Sequence, residues 1–226
     1  ATYSRMLGDY LSGAVTGRFI YSNLTQGQGD YAGVGWSVAA DLGIYYKRPV
    51  EWFKNTDADF SWGVSITNIG SKVSYNKANE KKDFIPTNLR AGAQLKLNLN
   101  EYHSLAFALD LSKLLVPTPP CRDIQTDSII AGYDNNVSVV MGMIQSFYDA
   151  PGCGFNTNGE LVRYGKFYEE LCEVNIGVGI EYWYNHLFSV RAGYFNETAL
   201  KGNRKYVTLG AGLRYNAFGL DVSYLI

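Results

Sequence analysis

The sequence predicts an all-β protein, an antiparallel transmembrane β-barrel of the outer-membrane type with one helical external loop. Three observations predict it. Apolar and polar or small residues alternate with a period of two in about ten segments, which sends successive side chains to opposite faces of a sheet. Most of these segments reach the ~9–11 residues that a tilted strand needs to cross a bilayer, whereas ordinary globular strands run nearer ~5–6. Short turns alternate with longer polar loops, as when short periplasmic turns oppose longer external ones.

The elements follow in chain order. Residues 1–7 read as the end of a strand, and 11–24 as a second one. In 34–47, Val34, Trp36, Val38, Ala40, Leu42, Ile44 and Tyr46 oppose Gly35, Ser37, Ala39, Asp41, Gly43, Tyr45 and Lys47. Residues 60–75 repeat the pattern less cleanly. In 89–99, five leucines and alanines from Leu89 to Leu97 oppose Arg90, Gly92, Gln94, Lys96 and Asn98. Residues 105–112, 175–184, 187–196 and 207–216 continue the march, with Trp183 the odd member on its polar face. Residues 220–226 stop in mid-strand. The single β-barrel domain, 1–226, is therefore expected to be incomplete at both ends.

Short turns are expected at Gly8-Asp9-Tyr10, Asn100-Glu101-Tyr102, Asn185-His186 and Asn216-Ala217-Phe218-Gly219. Longer polar loops fall at 25–33, 76–84, 117–168 and 197–204. Residues 48–59 lie on the short side but are longer, which suggests a bulge or a small periplasmic flap.

Which face meets water decides the class. One face carries Leu, Val, Ile and Ala, with Trp36, Tyr46, Tyr182, Tyr184, Tyr194 and Tyr215 toward the strand ends as interfacial girdle residues. The other carries Arg18, Asp41, Arg90, Lys96, Asp110, Glu181, Arg191, Arg214 and Asp221 among glycines and serines. Both signs spread over many strands suit a polar lumen with charges paired across it. The competing reading is a soluble barrel with an apolar core and a wet, charged exterior; strand length and the turn–loop rhythm favour the membrane. A net charge of −1 gives no reason to expect nucleic acid as a partner. No apolar run approaches the ~18–20 residues of a membrane-spanning helix.

Residues 117–168 break the rhythm and form the long external loop. They open on Pro117-Thr118-Pro119-Pro120, which cannot continue a sheet. Val137, Val140, Met141, Ile144 and Phe147 then follow a helical spacing, so a short amphipathic helix is expected near 135–148. Asp134 or Asn135 would cap it, and Pro151-Gly152 lies just beyond its end. The apolar stripe has to be covered, either by the barrel mouth as a lid or by a partner or cargo. Cys121, Cys153 and Cys172 lie in or beside this loop. An exterior compartment permits disulfides, and both Cys121–Cys153 and Cys153–Cys172 are open. Metal binding is not expected, because no Cys-x-x-Cys is present and the histidines lie elsewhere.

Motifs for catalysis are absent. His103 and His186 sit at short turns and read as solvated; a base needs a positioned partner. Glu169, Glu170 and Glu173 read as solvated rim charges. Gly177-Val178-Gly179 and Gly210-Ala211-Gly212 lie inside strands and lack the helix of a nucleotide loop.

Several stretches resemble a known family: FIYSNLT (19–25), ITNIGSKVSY (66–75), DFIPTNLR (83–90), ALDLSKLLVPTPP (108–120), QSFYDAPG (145–152) and KGNRKY (201–206). They resemble the PorV family, outer-membrane shuttle proteins of the type IX secretion system of Bacteroidetes, over nearly the whole chain. The resemblance implies a FadL-like barrel of about fourteen strands when complete, with about ten in this chain. It implies a bacterial outer-membrane location, no cofactor and no enzymatic role. The partners it implies are outer-membrane lipid, the giant translocon barrel, secreted cargo engaged through a C-terminal signal domain, and the cell-surface sortase complex. On this reading Val137, Val140, Met141, Ile144 and Phe147 are expected to contact translocon or cargo, although the shared motifs do not themselves single them out. The chain lacks the family's N-terminal plug region and closing strands, and its segment after Pro151-Gly152 is longer than usual. A FadL-like channel for hydrophobic small molecules is the alternative, and an outer-membrane hydrolase ranks last.

Overall fold

The computed structural model describes residues 1–23, 34–52, 56–74, 82–123, 125–155 and 161–226. The loop expected at 25–33 and most of that at 76–84 lie outside the described residues. Ten strands form one antiparallel sheet. They are β1 (Thr2–Met6), β2 (Leu11–Ser22), β3 (Gly35–Trp52), β4 (Thr56–Gly70), β5 (Asn88–Asn98) and β6 (His103–Leu114), followed after the long loop by β11 (Val174–Tyr184), β12 (Phe188–Asn196), β13 (Lys205–Tyr215) and β14 (Phe218–Leu225). Each strand pairs with the next of this series, so the topology is a pure meander. The sheet is open: β1 and β14 are its two edges, and among the described residues they do not pair with each other.

The long loop supplies the remaining elements. Two small hairpins are built from β7 (Cys121–Arg122) with β8 (Ile129–Ala131), and β9 (Cys153–Phe155) with β10 (Leu161–Arg163). Helix α1 (Val139–Gln145) lies between the hairpins, and α2 (Lys166–Cys172) leads into β11. No helix among the described residues is long and apolar enough to cross a membrane.

Register makes the two-sidedness explicit. Leu42, Ile66 and Leu89 form one cross-strand row, and Leu95, Phe107, Ile180, Ala192 and Leu209 another. This face is apolar and yet exposed: Phe107, Leu109, Val178 and Leu209 each keep more than a third of their surface accessible. An apolar sheet face of this extent is far beyond what a water-soluble monomer leaves open. The same pairings put all nine charges named above on the opposite face. Small residues fill the spaces between them; Gly92 stands opposite Gly63 on one side and Asp110 on the other.

Aromatic residues collect at the short-turn end of the apolar face. Tyr10, Tyr46 and Trp62 pack in series, with ring centroids 6.2 and 5.8 Å apart. His103 belongs to the same belt. Its ring stacks near Tyr182 and Tyr184, and Nδ1 shares a 2.5 Å hydrogen bond with the Tyr182 hydroxyl. It is half-buried rather than a solvated turn residue, because alternation turns it toward this girdle. His186 is exposed, and with Asn185 it takes a left-handed conformation (φ 52° and 51°), which gives the tight turn 185–187 between β11 and β12 a twist matching the strands.

The described residues of 48–59 form strand rather than a flap. β3 and β4 simply run on, pairing Arg48 with Phe60 and continuing to Trp52 with Thr56. Pro49 sits within β3 and pairs with Asp59, so the hairpin is an extended strand pair with residues 53–55 outside the described set. The tightly packed interior lies at the other end, beneath the long loop, where Ile85, Leu115, Cys121, Ala150, Cys153 and Cys172 are buried.

Candidate partner-binding rim

Helix α1 is shorter than its sequence pattern. It spans Val139–Gln145, and its N-cap is Ser138, whose hydroxyl accepts from the Met141 N–H at 3.3 Å. Asp134 and Asn135 do not cap it. The Asp134 carboxylate instead accepts from the Asn136 N–H at 2.9 Å, closing a local turn that delays the helix. The helix turns Gly142 and Gln145 inward. A methyl group at Gly142 would come within 2.9 Å of Phe84 and Pro117, so glycine permits the close approach to the loop base.

The apolar stripe faces the other way. Val140 is 66% exposed, Ile144 55% and Phe147 53%; Met141 is also exposed and Val137 is half-buried. Among the described residues the stripe is left uncovered. A second apolar patch escaped the sequence reading: Phe167, Tyr168 and Leu171 of α2 are all exposed. Its signal, an aromatic pair followed four residues later by leucine, is too short to separate from loop composition.

What fixes the loop is polar. Cys121 and Cys153 form a disulfide across 32 residues, tying the base of the loop to the segment after α1. Cys172 is free and buried. Glu169, Glu170 and Glu173 are largely buried, against the expectation of solvated rim charges, because the loop closes over them and each finds donors. Glu173 accepts from Lys113, from Lys201 at 2.8 Å and from the Thr118 hydroxyl at 2.7 Å. Glu170 accepts from Lys113 at 3.3 Å and from the Ala150 N–H at 2.8 Å. Glu169 accepts from Lys201 at 3.0 Å and from the Gly152 N–H at 2.7 Å. Thus β6, α2, the segment after α1 and the loop carrying Lys201 meet in one charged junction. Burial pushes the Glu173 carboxyl up, but its Lys113, Lys201 and Thr118 donors outweigh this and hold it below the usual range. Burial lowers the Lys201 ammonium, and Glu173 and Glu169 more than reverse that, raising it. Asp149 is raised by burial.

The predicted lumen charges pair across strands. Arg18 meets Asp41 at 2.6 Å and Arg90 meets Asp110 at 3.6 Å. Arg191 bridges Glu181 at 2.5 Å and Asp221 at 2.7 Å, and Arg214 reaches Asp221 at 2.6 Å. Trp183, the exception to the alternation, is explained here. Its indole N–H donates to Glu181, and the guanidinium groups of Arg191 and Arg214 lie 5.6 and 5.8 Å from its ring. Lys96 shares the face. None of the nine reaches the α1 stripe through a contact recorded among the described residues.

Two of the shared sequence stretches acquire a structural role. At Asp41 the β3–β4 ladder slips by one residue, a bulge in which Asn68 adopts φ 60°. The Asp41 carboxylate accepts from the Asn68 N–H at 2.8 Å, while Asn68 donates to the Pro86 carbonyl at 3.1 Å and its own carbonyl accepts from the Thr87 hydroxyl at 2.7 Å. ITNIG and IPTN thus lock the loop between β4 and β5 onto the charged face.

A family model described as type IX secretion system protein PorV matches residues 1–121. Comparison with curated proteins gives no match.

Proposed function

This chain belongs to the PorV family of type IX secretion system proteins, and from that membership we propose that it is the outer-membrane shuttle of that system. In this reading the sheet is part of a FadL-like barrel, its apolar face lies in outer-membrane lipid and its charged face lines the lumen. The external loop binds the giant translocon barrel and the C-terminal signal domain of cargo, and hands cargo to the cell-surface sortase complex. The role is binding rather than catalysis. The single observation that carries it is the exposed stripe of α1. A helix held rigidly by a disulfide, a buried ion cluster and a glycine contact presents Val140, Met141, Ile144 and Phe147 outward. Rigid presentation of apolar anchors is the arrangement by which a helix engages a partner groove at low ordering cost.

The test is extraction of the complete native protein in mild detergent and mass spectrometry of what accompanies it, beside a Val140→Asp, Ile144→Asp double variant. The reading expects a very large barrel and secreted proteins with C-terminal signal domains, both lost from the variant. A protein that emerges alone from both samples contradicts it. That result would favour a channel for hydrophobic small molecules, although the rim cavity of about 310 Å³ mixes Leu114, Val116, Pro117 and Pro119 with Glu173, Glu197 and Lys201.

A further inference from the structure

We propose that Asp149, Glu170 and Glu173 form a binding site for a divalent cation of the calcium class, fastening the long loop to the rim. One carboxylate oxygen from each lies within 4.8 Å of the others. Calcium takes six to eight oxygens at roughly 2.3–2.6 Å, so oxygens on opposite sides of one ion stand about 4.8 Å apart. The three groups are within reach of a single ion.

Asp149 carries a buried oxygen that no donor among the described residues meets. The residue is completely buried. Its Oδ2 accepts from the Thr118 N–H at 2.9 Å and from the Gln145 amide at 3.5 Å, while Oδ1 has no partner. A buried carboxylate oxygen without a donor is costly, and native proteins rarely leave one. Among the described residues no ion pair joins Asp149 to a basic side chain, although Lys113 and Lys201 serve all three glutamates around it.

Charge bookkeeping agrees. The junction holds four carboxylates (Asp149, Glu169, Glu170, Glu173) and two ammonium groups (Lys113, Lys201), four minus two leaving two uncompensated negative charges. A divalent ion cancels that excess. The donors are all oxygens with no imidazole or thiolate among them, which selects a hard cation. Ala150 N–H holds the other oxygen of Glu170, and the Lys113 ammonium spans Glu170 Oε2 at 3.3 Å and Glu173 Oε2, so an ion seated here displaces that ammonium from both carboxylates.

The site is tested on the complete protein in detergent, stripped with a chelator and titrated with calcium chloride. Binding is read by calorimetry and by the melting temperature. Extracellular calcium sites bind at about 10⁻⁴–10⁻³ M, so about 10 mM calcium is expected to raise the melting temperature by roughly 3 °C or more. Asp149→Asn removes one of the negative charges and keeps the shape; it is expected to fold, to melt no lower than the stripped wild type, and to lose the calcium response. Glu181→Gln, on the sheet's charged face, is expected to keep it. A wild type that shows neither heat nor a melting shift overturns the proposal, as does an Asp149→Asn variant that responds like the wild type.

Discussion

Asn68 and Gly70 show how single residues hold the rim to the sheet. Asn68 tolerates the left-handed conformation that the bulge imposes, and its side chain and backbone serve both Asp41 and the 85–87 segment. A methyl group on Gly70 would lie 2.4 Å from the Val38 carbonyl oxygen and 2.7 Å from Ala39 and Ile85. Backbone cannot yield there as a side-chain tip can. Gly70→Ala is expected to destabilise by about 1–3 kcal/mol in a urea midpoint measurement, while Gly177→Ala, whose nearest neighbour would be 3.7 Å away, leaves the midpoint in place. Glu173 gives a pH prediction. Its folded value is held below the unfolded one, so its stabilisation is present above the ordinary carboxylate range and is lost as pH falls through the lowered value. The protection factors of residues 139–145, corrected for the intrinsic rate at each pH, are expected to hold above the ordinary carboxylate range and to fall as pH drops below it. Asp149 carries the opposite sign, so Glu173→Gln isolates the contribution: the variant exchanges faster at neutral pH and loses most of the acid step.

Among the elements, the strands were legible and the loop was not. Ten strands, their short turns and their two faces follow from a period of two, because a one-residue slip would turn every leucine to the wrong side. Glycine and asparagine mark the tight turns on chemical grounds that need no tertiary context. The loop defied that reading for a physical reason. Whether Glu169 and Glu173 are wet depends on Lys113 and Lys201, which lie 56 and 32 positions from Glu169 in the chain. Nothing local records their meeting. The α1 stripe was visible, but its outward direction depends on Gly142 finding Phe84 and Pro117. The cysteine pairing stayed open in sequence and is Cys121–Cys153 in the fold. Replacing both by serine is expected to speed exchange across α1 while β5, β6 and β11 keep their protection, since a cross-link over a loop of this length is worth about 3–4 kcal/mol and acts on the loop alone.

At the scale of the whole molecule, the sheet separates an apolar face from a charged one. Exposed leucine, valine and isoleucine cover one face, and paired charges among glycines cover the other. Nitroxide labels at Leu109, Val178 and Leu209 are expected to meet lipid-phase oxygen, and labels at Ser65, Gln94 and Thr208 the water-soluble quencher. On the proposed reading the loop stands outside the bilayer and presents the exposed stripe of α1, so the reading turns on what that helix touches. A photo-crosslinking residue at position 144, activated in intact cells, tests this most directly. The account predicts adducts to a very large outer-membrane barrel or to secreted proteins carrying C-terminal signal domains. An absence of protein adducts at position 144 in a correctly folded, membrane-inserted protein would contradict it.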